Sequence, residues 1–300
     1  MDPLADIVPL ARRELERARD SLARTGWEAS ERVHEARKAL KRARALLLLL
    51  PPGRGARDGA RAARDAARAL GAARDAAALA EVVDRLCRDR PESAPDLAPV
   101  AAALAAGVAV REAPSAAALE CALGAVALAV DGIDTASEAT GASFAAGLRR
   151  AYASARRCWR EAHEHPTADA FHELRKQSKA HAVHLGLVAP AWPAVLDAHA
   201  GTLVELGAAL GDEHDLGLLL AALPSLPGGE RCHEPVVTRR DERRAQALSL
   251  ASRAFAERPR ALTRRLEALV AAARSAPAAP DAWERVRRRL AKSAPGTVQE

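Results

Sequence analysis

The chain has 300 residues, which is enough for one large domain or two of ordinary size. Hydrophobic residues make up 49% of it and aromatic residues only 3%, so a core must consist mainly of Leu, Val and Ala. The formal charge of +6 favours an anionic partner. The N-terminal "MDPLADIVPL" lacks the pattern of a signal peptide, and the apolar stretch "ALLLLLPP" is too short to span a bilayer. We therefore expect a cytoplasmic protein with no membrane association.

In chain order, helix-favouring segments alternate with short breaks rich in Pro and Gly. Alternating runs of β-branched residues, which would predict strands, are missing between these breaks. The pattern predicts an all-α protein. The breaks are "PPGRG" (51–55), "RPESAPDLAP" (90–99), "DGIDT" (131–135), "HEHPTAD" (163–169), "APAWP" (189–193), "PSLPGG" (224–229) and "ERP" (257–259).

One half of the chain repeats the other. "VHEARKALK" (33–41) and "FHELRKQSK" (171–179) share five of nine residues, 138 positions apart. The same alignment pairs Leu10 with Leu148, Arg12 with Arg150 and Arg19 with Arg157, and "LGAARD" (70–75) matches "LGDEHD" (210–215) after a two-residue insertion. We therefore predict two halves, residues 1–132 and 133–300, that pack as paired helical bundles about a pseudo-twofold axis.

The repeated segments place cations on one helix face. Helical spacing aligns His34, Arg37, Lys38, Lys41 and Arg44 in the first copy and His172, Arg175, Lys176 and Lys179 in the second, and we call these rows the first and second stripes. Arg42 lies at the margin of the first stripe. Four of the chain's five lysines belong to the stripes. Glu35 and Glu173 lie off the stripes, which predicts like-charge repulsion that a polyanion would relieve.

Helix starts add to this prediction. Ser30 is the expected N-cap of the first stripe helix, and Thr167 or Asp169 that of the second. Both histidines then fall in the first turns, where backbone amides and the helix dipole favour a phosphate.

The stripes also have a plainer interpretation as two solvated basic helix faces, which the duplication and the lysine distribution disfavour. Metal ligation by His34 or His172 is disfavoured because the surroundings are cationic and no Asp or second His lies at i+4. Asp75 and Asp215 are interpreted as helix caps or as ion-pair partners of a stripe cation. "HAVH" (181–184) is interpreted as surface or core decoration.

Other charged and reactive groups predict no chemistry. Arg57, Arg61, Arg64 and Arg68 alternate with Asp and predict a salt-bridged face. The four cysteines lack zinc-ligand spacing and are expected to fill helix interiors. No Gly-rich phosphate loop, nucleophile–base pair or magnesium-binding carboxylate cluster is apparent. We therefore expect neither an enzyme nor a cofactor.

Two copies of a helix reading His-x-x-Arg-x-x-x-Lys/Arg, each followed by Leu-Gly-x-x-x-Asp, resemble the CHAD family, the conserved histidine α-helical domain. The resemblance covers the chain from about Leu10 onward and departs at Ala182 and Val183, where the family usually has Arg and Tyr. It implies two antiparallel four-helix bundles related by pseudo-twofold symmetry, with a basic groove between them that binds inorganic polyphosphate and with association with polyphosphate granules. The binding residues it implies are His34, Arg37, Lys38, Lys41, Arg42, Arg44, His172, Arg175, Lys176 and Lys179, with Arg12, Arg19, Arg150 and Arg157 on the preceding helices.

Two other functions stay open at this point. The same positive charge suits a nucleic acid, although single-strand binders use aromatic stacking platforms and the eight aromatic residues here are scattered away from the stripes. A metal-dependent phosphate-processing or regulatory protein, built on the histidines, is the third hypothesis. Polyphosphate offers charge without bases, so rows of cations without aromatics favour it as the partner.

Overall fold

The computed structural model describes residues 7–50, 54–70, 75–108, 115–134 and 142–275, and all regular structure within these ranges is helical. The predicted all-α class is confirmed. Short 3-10 turns occupy Pro91–Ser93, Ala189–Ala191 and Leu223–Ser225. The α-helices are α1 (Ile7–Ala23), α2 (Ala29–Leu47), α3 (Arg54–Ala69), α4 (Asp75–Asp89), α5 (Ala94–Val108), α6 (Ala116–Asp134), α7 (Ala142–Glu164), α8 (Ala168–Val188), α9 (Pro193–Ala222), α10 (Gly229–Ala254) and α11 (Pro259–Ser275).

Two of the predicted breaks are shorter than the sequence suggested. Helix α5 begins at Ala94 and contains Pro99, and α6 continues through most of "DGIDT" to Asp134. A single internal Gly costs a helix only about 1 kcal/mol. Burial of Val126 and Ala129 along α6 offsets such a cost.

Helices α1, α2, α3 and α6 pack against one another. Their facing sides carry Leu15, Leu40, Leu47, Ala63 and Val126, all almost completely buried. Alanine at many of these core positions lets the helix axes approach closely, which compensates for the small number of aromatic side chains.

Helices α7, α8, α9 and α10 form a second group of packed helices, and α11 lies against α7. The core of this second group contains the larger side chains Tyr152, Phe171 and Phe255. The Tyr152 hydroxyl donates to the carbonyl oxygen of Glu257 at 3.2 Å, so its polar end is satisfied where α10 stops. Helix α8 also packs on α2, and a continuous apolar core runs through both groups.

Helices α4 and α5 pack on each other, and together they dock on α9 and α10 of the second group. Val83 and Leu97 meet Leu219 and Val236 in a separate buried cluster. The predicted boundary between the halves, after residue 132, falls in the last turn of α6.

Two further observations concern the described ranges alone. No helix there is both long and apolar enough to cross a membrane. All four cysteines are free, and Cys232 is buried as expected. Cys121 is exposed, which contradicts the expected placement in a helix interior.

Candidate anion-binding site

The starts of the two stripe helices differ in part from the prediction. The N-cap of α2 is Glu28, not Ser30, and its backbone amide donates to the Glu31 carboxylate at 3.3 Å. Thr167 caps α8 by accepting from the amide of Ala170 at 3.2 Å, as predicted. Ser30 is the second residue of α2, and the Glu31 carboxylate at the third helical position accepts from the N-cap amide instead.

Both stripe histidines lie in the second turn of their helices, not the first. His34 is the sixth residue of α2 and His172 the fifth of α8. The free amides of a helix belong to its first four residues. The prediction that free backbone amides lie beside the two histidines is therefore wrong. Side chains must supply the hydrogen-bond donors for a phosphate there.

The two stripe helices contact each other. Nε2 of His184 on α8 lies 2.7 Å from the carbonyl oxygen of Ala45 on α2. Across the same contact, Arg44 is near enough to Glu173 to interact with its charge. Burial and the Arg64 guanidinium lower the pKa of Arg44, whereas Glu173 acts in the opposite direction. The end of the first stripe therefore reaches the beginning of the second.

Each stripe contains a lysine that is already paired. Lys38 Nζ lies 2.9 Å from the Glu35 carboxylate, and Lys176 Nζ lies 2.6 Å from that of Glu173. The prediction that these carboxylates stand apart from the stripes is wrong, because residues three apart on a helix are neighbours and long side chains bend toward each other. An incoming anion must displace two carboxylates that the protein itself provides.

Helix α9 runs beneath the second stripe in antiparallel register. The rings of His172 and His214 have centroids 5.3 Å apart. A Cβ on Gly211 would lie 3.6 Å from Nη2 of Arg175, and one on Gly207 would lie 3.9 Å from Cε of Lys179. Because these two α9 positions are glycines, the side chains of Arg175 and Lys179 can lie across the surface of α9. His214 lies at the end of the row that they form.

His214 belongs to the site although sequence reasoning did not select it. The repeat alignment of "LGAARD" with "LGDEHD" pairs His214 with Arg74. The sequence therefore has a basic residue at this position in both copies. The ring of His214 could be assigned to the second stripe only once the register between α8 and α9 was known.

The end of the second stripe lacks a cation that the first has, and the helix beside it lacks another. Arg44 on α2 is close enough to Arg64 on α3 for the two charges to interact. The repeat places Ala182 and Val204 at the corresponding positions, and Val204 is 62% exposed. The α2–α3 side therefore carries two arginines that the α8–α9 side lacks. Arg64 also pairs with Asp65 at 2.8 Å and Arg61 with Asp58 at 3.7 Å, as predicted for a salt-bridged face.

The stripe cations differ in exposure. Lys41 and Lys179 are exposed, whereas the remaining lysines and the arginines of both stripes are half-buried. Arg42 turns toward α1, where Nη1 lies 3.8 Å from the carboxylate of Glu14. Burial raises the pKa of Glu14, and the Arg42 charge opposes that shift.

The four arginines predicted on α1 and α7, the helices before the stripe helices, lie in different environments. Nη2 of Arg150 donates to the carbonyl oxygen of Leu50 at 2.9 Å, just beyond the end of α2. Arg157 reaches Ser154 Oγ at 3.4 Å. Arg12 is half-buried and Arg19 is exposed on α1. Arg150 thus joins α7 to the segment that follows α2, a contact that the sequence did not predict.

Partial burial and neighbouring cations lower the pKa values of His172 and His214. Burial lowers the pKa of His172, and the charge of Lys176 lowers it further. Burial likewise lowers the pKa of His214, followed by the charge of Arg175. A neutral imidazole donates one hydrogen bond, and a nearby phosphate would favour the doubly donating cation.

The remaining candidate groups lie outside the stripes. Asp215 lies 3.9 Å from Arg85 on α4, an ion pair with a residue outside the stripes. The side chain of Asp75 is outside the described residues. His181 and His184 are fully buried in the core. Within the described part of the chain, no group of three or more His, Cys, Asp or Glu side chains is placed to hold a metal ion.

Comparison with known proteins places the chain in a family. The CHAD domain model matches residues 7–224, a span that contains both stripes and helices α1 to α9. Helices α10 and α11 lie beyond the match, which is shorter than the resemblance suggested. No curated protein and no solved structure matches the chain. Because the match covers well over half of the 300 residues, the protein belongs to the CHAD domain family.

Proposed function

We propose that this protein binds inorganic polyphosphate, without chemically transforming it, on a basic surface formed by the stripes of α2 and α8. The observation that carries the proposal is the contact between the two stripe helices, with Arg44 of one near Glu173 of the other. Two cation rows on packed helices can engage one extended polyanion. Membership of the CHAD family supports the same ligand.

We also propose that the two helix groups form a pseudo-twofold pair of four-helix bundles. The packing of α1 on α2 and α2 on α3 has its counterpart in α7 on α8 and α8 on α9. The contact between the stripe helices joins Ala45 and His184. These two residues are offset by one position in the repeat alignment. A contact between near-equivalent residues is what a local twofold axis through that point would produce.

The composition of the surface favours polyphosphate over nucleic acid. Phosphate contacts from Lys and Arg supply affinity for either polymer. Single-strand binders add aromatic side chains that stack on bases. Among the described aromatic residues, none occupies a stripe position, and Tyr152, Phe171 and Phe255 are buried. The same contacts would bring the protein to cytoplasmic polyphosphate granules.

The test is a titration with polyphosphate of defined lengths against wild type and Lys38→Ala/Lys176→Ala. We expect the double variant to bind about tenfold or more weakly, because two charge-assisted contacts are lost. Its salt dependence should also fall by about two on the double-logarithmic plot. Arg253→Ala/Arg260→Ala removes the same formal charge from exposed positions and should bind like wild type.

Two parallel measurements separate the other functions. Duplex and single-stranded DNA, at matched phosphate concentration and moderate salt, should bind more weakly than polyphosphate; equal binding would favour a nucleic-acid partner. A phosphate-release assay with added divalent metals should give no turnover. Release that disappears in His34→Ala would favour a metal-dependent phosphatase instead.

A further inference from the structure

The two halves of the chain carry different bases at one equivalent position of the repeat. The repeat alignment places Arg74 in the first half opposite His214 in the second. An arginine stays charged at every physiological pH, whereas an imidazole titrates near neutrality. In the second half, His214 lies beside another titratable group, with its ring centroid 5.3 Å from that of His172.

We propose that His172 and His214 form a proton-linked phosphate subsite, in which both imidazolium rings and Arg175 hold one phosphate group of the chain. The proposal rests on the proposed function and names the part of the site that responds to pH. A ring separation of 5.3 Å allows both imidazoles to donate to oxygens of one phosphate. Arg175 shares the row, since its Nη2 lies across Gly211, one turn before His214 on α9.

Charges from the surrounding helices determine the protonation state. On α8, Lys176 and Arg175 oppose protonation of His172, while Glu173 and Asp169 favour it. Around His214, Arg175 and Lys179 oppose protonation and Asp215 favours it.

The other packed helices add little free charge. From α4, Arg85 is held by Asp212 and Asp215. From α10, Arg244 is held by buried Glu213. From α2, Arg44 lies near Glu173, and α7 contributes Cys158 near Lys176 and Glu173. Cations therefore outnumber the carboxylates that remain for the two rings, and an added phosphate reverses that balance.

The direction of the linkage follows from these signs. Without ligand, both histidines have lowered pKa values and are neutral at neutral pH. A bound phosphate raises those pKa values, so binding takes up protons. The gain in affinity is complete below the pKa of the free protein and is lost as the pH rises through the pKa of the complex. Polyphosphate should bind more tightly in mildly acidic solution.

The experiment measures calorimetric binding of long-chain polyphosphate, whose internal groups do not titrate in this range, at constant ionic strength. We expect wild type to bind about tenfold more tightly at about pH 6 than at about pH 8, since one pKa unit on one imidazole corresponds to a factor of ten. Buffers of different ionisation enthalpy should show net proton uptake. His214→Arg, which installs the residue of the first half, should bind tightly at both pH values and take up fewer protons.

Matched variants complete the design. His172→Gln/His214→Gln should lose the pH dependence while keeping residual binding through the lysines and arginines. His233→Gln, an exposed histidine on α10, should behave like wild type. Binding by wild type with equal affinity at both pH values and no proton uptake would overturn the subsite and leave the proposed function standing. Absence of polyphosphate binding at either pH would overturn both.

Discussion

Nε2 of His184 and the carbonyl oxygen of Ala45 lie 2.7 Å apart, in a fully buried contact that joins the two stripe helices. His181, one turn earlier on α8, is equally buried and packs 5.0 Å from the ring of Tyr152. The geometry of the site therefore depends on a histidine-containing core. That core gives the fold its own response to pH, separate from that of the exposed His172.

Acid should weaken this fold before most of its carboxylates are protonated. Burial lowers the pKa of His184 to about 4 and that of His181 well below its ordinary value. Above about pH 6.5 both residues are neutral in folded and unfolded chains. Below that pH, both histidines become protonated in the unfolded chain but stay neutral in the folded chain. Urea unfolding at about pH 5 should show a loss of about 2 kcal/mol for each histidine relative to neutral pH.

His181→Leu should remove its share of this acid sensitivity, because no proton is then refused at that position. His163→Gln, an exposed residue at the end of α7, should leave the pH profile unchanged. Equal unfolding free energies for wild type at both pH values would contradict the buried neutral state.

Gly147 is required for the approach of α7 to the end of α2. A Cβ there would lie 1.9 Å from the carbonyl oxygen of Leu49, so backbone must move. Gly147→Ala should lower the free energy of unfolding by about 3 kcal/mol. On α9, a Cβ on Gly201 meets nothing within 4 Å. Gly201→Ala should therefore stabilise by about 0.5–1 kcal/mol. Denaturant unfolding of both variants checks the pair, and similar effects of the two would rule out the close contact.

The carboxylates of Glu35 and Glu173 should compete with polyphosphate for Lys38 and Lys176. Glu35→Gln/Glu173→Gln removes two negative charges from the surface and should tighten binding by about three- to tenfold at low salt, with the advantage shrinking at high salt. Folding stability should change little, because both ion pairs are partly solvated. Glu234→Gln/Glu267→Gln, which removes two exposed carboxylates on α10 and α11, is the charge-matched control. Unchanged affinity in the double variant would mean that the ligand lies elsewhere.

Restoring the cation missing from the second half should strengthen binding. Val204→Arg places a guanidinium at the α9 position that corresponds to Arg64, and the 62% exposure of Val204 leaves room for it. We expect about threefold tighter binding and an increase of about one in the salt slope. Val204→Gln, of similar polarity without charge, should bind like wild type. A gain shared by both variants would show that charge is not the cause.

The helical class and both stripes were predictable because hydrophobic and cationic spacing reports helix faces directly. The pairing of Lys38 with Glu35 could also have been predicted from the sequence, because residues three apart on a helix are neighbours. The cap of α8 at Thr167 was predictable because Thr is a favoured N-cap residue. These features depend on the spacing of residues within one helix, which the sequence contains.

Contacts between helices could not be predicted in this way. The position of His214 against His172 depends on the register of α8 on α9, which no single-helix pattern contains. The donation from Arg150 to Leu50 depends on where α2 stops relative to α7. Each relationship needs the relative placement of two helices, and one sequence gives only their separate periodicities.

The docking of α4 and α5 on α9 and α10 has a consequence for how the molecule comes apart. Arg85 and Asp212, 2.5 Å apart, join segments from opposite copies of the duplication, and the apolar cluster of Val83, Leu97 and Leu219 lies beside them. A fragment that ends at residue 132 would leave that cluster open to water, and so would its complement. The duplicated copies should thus melt together as one cooperative unit.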